Sequence, residues 1–250
     1  MKNNLPKICY WCGIELNKET IRREHVPPLG FFPKGYRNNL MTVPACEKHN
    51  NHLSHLDEKF QFYLKAHRSN RVANNDFLDT VLRGLRRKEK EGFLKSLNNN
   101  TGVGSFNEKP QIFTKLESFE ADTFIEKIIR ALYFYHKEEA TKGLIQWFSK
   151  YIHFEGIDSN SLVDSLKEDL NENILTNGEF YNPEVFKYKF FDFQGLFGVF
   201  INFYDDVEFI GWVLPKDFTY DNFDPEKYGY SEEYLRDINN KNKIIYPDLK

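Results

Sequence analysis

Three cysteines and one histidine stand in two short pairs near the N-terminus. Cys9 and Cys12 form a C-x-x-C pair in CYWCG, and Cys46 and His49 form a C-x-x-H pair in ACEKHNN. Each spacing lets two side chains from one turn reach the same ion, and three thiolates with one imidazole complete a tetrahedral zinc site. The chain has only these three cysteines. An odd number beside histidines suits a metal site in a reducing compartment better than a disulfide framework, so no disulfide is expected. The half-sites are separated by 33 residues, against about 12 in a two-histidine finger, so a whole hairpin must be inserted between them. His52 and His55 are spare ligands on the following helix. His52 would break the two-residue spacing, which favours His49.

Enclosed by these half-sites is Glu24-His25, and directly after the last ligand comes Asn50. Hydrolysis of a phosphodiester needs a base that is neutral near pH 7, and an imidazole of ordinary pKa about 6.5 supplies one. A hard cation, held by one carboxylate and one amide oxygen, would neutralise the charge that builds on the phosphorus and the leaving oxygen. His25 fits the first role; Glu24 and Asn50 fit the second. Singly, each has a blander reading. His25 is equally an ordinary histidine or a further zinc ligand, and Asn50 equally bonds its own helix backbone. Their joint placement favours the catalytic reading.

The elements that must position these groups follow from local pattern. A knuckle over residues 5–14 carries the first pair, with Gly13 relieving the backbone. Residues 22–26 read as a strand ended by Pro27 and Pro28, residues 30–39 as a loop, and residues 40–43 as the return strand. Leu53, Leu56, Phe60 and Leu64 recur at helical spacing, which predicts one helix from near Cys46 to about His67. Asn75 or Asp76 is the expected cap of a second helix bearing Arg83, Arg86, Arg87, Lys88 and Lys90, either a solvated face or a phosphate-contacting one. Residues 98–110, rich in Asn and Gly, read as a linker. A strand at residues 112–116 and a helix over residues 121–139 follow, and residues 144–154 are ambiguous between helix and strand. Residues 161–170 read as helix. The aromatic and β-branched run 185–214 predicts a three-strand antiparallel meander, its aromatics core rather than a base-stacking platform. Residues 232–239 read as a short helix.

The net charge of −3 hides an asymmetry. Residues 1–100 carry 18 Lys and Arg against 10 Asp and Glu, and the remainder carries 16 against 27. The basic half is the half with the metal motif, as a polyanionic substrate would require. No apolar run is long enough to span a bilayer and the start lacks a signal-peptide core, so a cytoplasmic protein with no membrane partner is expected.

Over its first 60 or so residues the chain resembles the HNH endonucleases of ββα-metal fold. It shares the C-x-x-C, the acidic-His dipeptide on the first strand, the hairpin, and the second zinc half-site followed at once by Asn. The resemblance implies that Glu24 and Asn50 ligate a catalytic Mg²⁺ or Mn²⁺, that His25 is the general base, and that the Cys9, Cys12, Cys46 and His49 zinc is structural. The family's middle Asn, which steadies the hairpin, corresponds to Asn39, with Asn38 as the other candidate. Glu24 stands where Asp is commoner, and His49 where Cys is. Further on, IIRALYFYHKEEA and FDFQGLFGVFINFY are similar to bacterial HNH-containing proteins of unassigned biology, phage defence among the settings left open. The expectation is therefore an α+β chain: a zinc-stapled nuclease module over residues 1–98, then a mixed helical and antiparallel-sheet region over residues 99–250. It would hydrolyse phosphodiester bonds in nucleic acid, DNA rather than RNA. A homodimer or a partner protein would engage the C-terminal region. The alternative is a non-catalytic zinc-dependent module that binds nucleic acid or protein, or a nuclease subunit that needs another chain.

Overall fold

The computed structural model describes residues 4–51, 53–85, 87–106, 109–150, 152, 163–164, 166–167, 174–193 and 195–215. The architecture is mixed α+β, with helices laid against an antiparallel sheet.

The N-terminal residues form a knuckle closed by Cys9 N–H to Ile14 O and Gly13 N–H to Cys9 O, both 2.9 Å. Gly13 adopts φ +72°, a left-handed backbone that glycine enters without steric cost. Strands β1 (Arg22–His25) and β2 (Thr42–Ala45) pair antiparallel, Glu24 opposite Val43 and His25 opposite Thr42. Pairing stops before Pro27, and two single helical turns, Leu29–Phe31 and Lys34–Tyr36, fill the long loop. The return strand lies two residues later than its apolar pattern predicts and includes Pro44. This ribbon has only two strands, so a residue without an N–H is tolerated, and the Pro44 carbonyl accepts from Tyr10 N–H at 2.9 Å.

The predicted helix after Cys46 is divided into α1 (Glu47–Asn51) and α2 (Ser54–Ala66), with the Leu53 carbonyl accepting from Leu56 and Asp57 N–H at the start of α2. Next comes α3 (Arg71–Asp76), capped by Asn70, whose side chain accepts from Ala73 N–H at 2.9 Å. The expected caps Asn75 and Asp76 lie inside this helix. The Asp76 carboxylate is taken by the fully buried Lys65 ammonium, so it is not free to cap. A π-helical turn (Phe77–Val81), α4 (Leu82–Leu85) and α5 (Glu91–Asn100) follow.

Residues 98–110 are not a linker. Strand β3 (Thr101–Phe106) pairs with β4 (Lys109–Thr114) in an antiparallel hairpin. Residues 101–104 of β3 are exposed, Val103 to 79%, so this part of the strand lacks the buried alternation that makes a strand visible in sequence.

The centre of the molecule is α6 (Ser118–Lys137), ended by Glu138 in a left-handed conformation. Its buried residues Phe124, Ile125, Ile128, Ile129, Leu132 and Tyr135 belong to the core between it, the N-terminal elements and a five-stranded antiparallel sheet in the order β5-β9-β8-β7-β6. The strands are β5 (Ile145–Ser149), β6 (Thr176–Asn177), β7 (Phe186–Phe193), β8 (Leu196–Phe203) and β9 (Val207–Val213). The predicted meander is thus present, its inward aromatics Phe186, Tyr188, Phe197, Phe203 and Phe209 buried in the core. The ambiguous stretch resolves to strand β5. Of the helix expected over residues 161–170, only residues 163–164 and 166–167 are described, and they are helical. The helix expected over residues 232–239 lies outside the described residues.

One apolar core runs from Tyr10, Phe31 and Phe60 through Phe124 to Phe203 and Val213, joining residues from both sides of position 98. Phe60 stacks on Phe124 with ring centroids 4.2 Å apart, and Phe31 meets both Phe124 and Phe203. The Tyr204 hydroxyl donates to Phe31 O at 2.8 Å, tying the β8–β9 turn to the N-terminal loop.

Candidate metal centre and the Glu24-His25 site

The knuckle brings Cys9 and Cys12 to one side of a small space, and the first turn of α1 brings Cys46 and His49 to the other. The four ligand atoms all lie within 4.8 Å of one another. His49 Nδ1 is 3.5 Å from Cys9 Sγ and 3.2 Å from Cys46 Sγ. Zinc bonds of about 2.3 Å to sulfur and about 2.0–2.1 Å to nitrogen, set at tetrahedral angles, separate S and N by about 3.6 Å. The cluster therefore fits zinc and could hold it. Cys9 and Cys46 are buried and Cys12 is exposed. The His49 ring is stacked on Trp11, centroids 5.3 Å apart and 5° from parallel, and the Arg130 guanidinium lies 5.3 Å from the Trp11 ring centroid. Arg130 is in turn held by Glu126 and by Thr141 O. A stack thus fixes the orientation of a ligand ring, the usual task of groups just outside a metal site. His55 is outside the cluster, and His52 lies outside the described residues.

Consecutive residues of β1 point to opposite faces, and Glu24 and His25 differ accordingly. His25 is half-buried. Burial, helped by the nearby Arg37 guanidinium, holds its pKa below the usual imidazole value, which keeps the ring neutral near pH 7. Glu24 is buried, 6% exposed, with Oε1 3.0 Å from Lys127 Nζ of α6. The same ammonium donates to both Asp57 oxygens, at 2.8 and 2.7 Å. Burial pushes the Glu24 carboxyl up to about 7, partly opposed by Lys127, and raises Asp57 for the same reason. Asn50 sits in α1 beside His49 of the candidate metal cluster. Its amide donates to Asn51 Oδ1 at 2.8 Å, while its Oδ1 is buried without a hydrogen-bond partner.

Asn39 is exposed, with φ +52°, a left-handed backbone that asparagine tolerates. It shapes the turn before the return strand through its backbone. Asn38 contributes its carbonyl, which accepts from Asn182 at 3.4 Å.

Asp57 and Lys127 do not stand out as site residues in the sequence. Lys127 leaves a trace there: it interrupts the apolar stripe of α6, three residues after Phe124 and one before Ile128, where a charge must be paired if it is buried. Arg37, which donates to Phe32 O at 2.9 Å, leaves none. In the basic segment, Arg83 pairs with Asp79 and Lys90 with Glu58, while Arg87 and Lys88 are exposed. Arg86 lies outside the described residues. Among the described residues no helix is long and apolar enough to cross a membrane. Comparison with family models, with curated proteins and with solved structures finds no match to this chain.

Proposed function

We propose that residues 1–66 form an HNH-type nuclease head, stapled by a structural zinc, that hydrolyses phosphodiester bonds in nucleic acid, DNA ahead of RNA. The observation that carries this reading is the Cys9, Cys12, Cys46 and His49 cluster. It closes a strand–loop–strand–helix unit, with Glu24-His25 on the first strand and Asn50 directly behind the last ligand. His25, neutral near pH 7, takes the proton of the attacking water. Glu24 and Asn50 are the oxygen donors for Mg²⁺ or Mn²⁺, and the unpartnered Asn50 Oδ1 supports that assignment. The bound cation supplies charge neutralisation at the phosphate and the leaving oxygen. The basic N-terminal half attracts the polyanion.

One observation favours a second reading, a zinc-dependent binding module without catalysis. The Glu24 carboxylate is already paired with Lys127. Supercoiled plasmid and single-stranded DNA and RNA, each with Mg²⁺ or Mn²⁺, separate the two. On the nuclease reading wild type cuts at least one of these, and His25→Ala loses the roughly 10²- to 10⁴-fold typical of a missing general base while still binding nucleic acid. Equal cleavage by both proteins removes His25 from the mechanism. Binding by both with cleavage by neither makes the binding module the correct reading.

A further inference from the structure

Three elements distant in sequence converge on one buried ammonium. Glu24 comes from β1, Asp57 from the first turns of α2, and Lys127, 2% exposed, from the middle of α6. Lys127 Nζ lies 3.0 Å from Glu24 Oε1 and 2.8 and 2.7 Å from the two Asp57 oxygens. Oxygens of two carboxylates therefore surround a single point at cation-binding distance.

Two further buried oxygens of the head lack hydrogen-bond partners. The Tyr10 hydroxyl is fully buried and makes no hydrogen bond, and the acidic side chains that act on it are Glu24, Cys9 and Asp57. Asn50 Oδ1 is buried and unpartnered in α1, which packs on β1 and β2. Buried polar atoms are almost always paired, so two orphans in the same head as the carboxylate pair need an explanation. Carboxylate, amide and phenol oxygens are the donor types that hard divalent cations take. A lysine on a flexible four-carbon stem is the side chain best able to hold such a place and withdraw from it.

We propose that Glu24 and Asp57 form one cation site with two alternative occupants, the Lys127 ammonium in the metal-free chain and a hard divalent cation when one binds. Asp57 is then a metal ligand additional to Glu24 and Asn50, and Lys127 is the positioning residue that sets the affinity. This rests on the divalent-metal reading of Glu24 given above. It makes α6, outside the nuclease-like head, part of the site. It also reconciles the Glu24–Lys127 pair with a metal-dependent reaction, because the pair is the resting state of the site.

The test uses the zinc-loaded full chain and follows free Mn²⁺ by electron paramagnetic resonance, with no nucleic acid present. Removing a competing charge from a buried pair of carboxylates should tighten Mn²⁺ binding by on the order of tenfold or more in Lys127→Met. Asp57→Asn should weaken it by a similar factor. Mn²⁺ should raise the melting temperature of Lys127→Met more than that of wild type, since only the folded chain holds the site. Lys127→Met leaves two buried carboxylates uncompensated and so risks misfolding. Asp57→Asn keeps the Glu24–Lys127 pair and decides the matter if Lys127→Met does not fold. Mn²⁺ affinity unchanged in Asp57→Asn, or no tighter in a folded Lys127→Met, overturns the inference. If plasmid is cut while Mn²⁺ affinity ignores both substitutions, this inference alone falls. If Mn²⁺ binds as expected and no nucleic acid is cut, the nuclease reading alone falls.

Discussion

At the residue scale the chain separates soft from hard donors. Cys9, Cys12, Cys46 and His49 offer sulfur and nitrogen to one ion. Glu24, Asp57 and Asn50 offer oxygen, which binds the harder cations. The stack of Arg130, Trp11 and His49 joins the candidate zinc cluster to α6, so a metal held there would order side chains well beyond its own ligands. Purified protein should therefore contain about one equivalent of zinc, the content of a closed structural site. Cys46→Ser, which removes a buried ligand, should lower that content sharply. Because such sites bind metal and fold together, chelation should expose the knuckle and the β1–β2 hairpin to protease. Elemental analysis and limited proteolysis check both. A full zinc content in Cys46→Ser would remove Cys46 from the site.

At the element scale the decisive contact is α6 on the sheet. Gly211 in β9 lies directly under Ile129, and a Cβ built there would stand 2.3 Å from Ile129 Cδ1. Helix and sheet approach this closely because β9 has no side chain at that point. Gly211→Ala should cost about 1–3 kcal/mol, the usual penalty of overpacking a filled core. Ile129→Val in the same chain should recover part of it, since the added methyl then meets a smaller neighbour. Urea unfolding of the two single variants and the double variant measures the coupling. Strict additivity would mean that this contact does not set the helix–sheet distance. The neighbouring β8–β9 turn is secured from outside the sheet. Tyr204 and Asp205 both have left-handed backbones, and they are held by Ser69 to Tyr204 O, by Asn70 to Asp205 and by Lys187 to Asp205.

At the scale of the whole molecule, one core underlies both the head and the sheet. Phe31 and Phe60 before position 98 pack on Phe124 and Phe203 after it, and Lys127 compensates carboxylates of the head. A fragment of residues 1–98 would expose the apolar faces of Phe31 and Phe60 and leave Glu24 and Asp57 without their buried cation. Each large aromatic side chain contributes about 1.5–3 kcal/mol when buried, a large share of the stability of a small domain. The zinc-loaded fragment should therefore melt without a cooperative transition under conditions where the full chain melts cooperatively. Calorimetry of the two proteins decides this. A sharp fragment transition close to that of the full chain would make the head an independent unit.

The sequence by itself determined what depends on neighbours in the chain. Two-residue spacing named the four zinc-cluster residues, Gly13 marked the knuckle turn, and the aromatic and β-branched run marked β7, β8 and β9. Helical spacing marked α2 and α6. Each of these signals is complete within a dozen residues, because the geometry of one turn or one strand dictates it. Tertiary structure alone decided what needs two distant segments. β5 becomes a strand only because β9 offers it an edge. The hairpin β3–β4 forms by backbone pairing from a stretch whose Asn and Gly read as a linker, so no apolar alternation announces it. Asp76 lost its capping role to Lys65, a partner eleven residues away. Glu24 was legible as a carboxylate beside a histidine, but its charge partner is Lys127 and its neighbour is Asp57, and no local pattern connects positions 24, 57 and 127. The physical reason is that a buried charge is governed by whatever the fold brings within a few ångströms of it, and sequence spacing does not encode that distance.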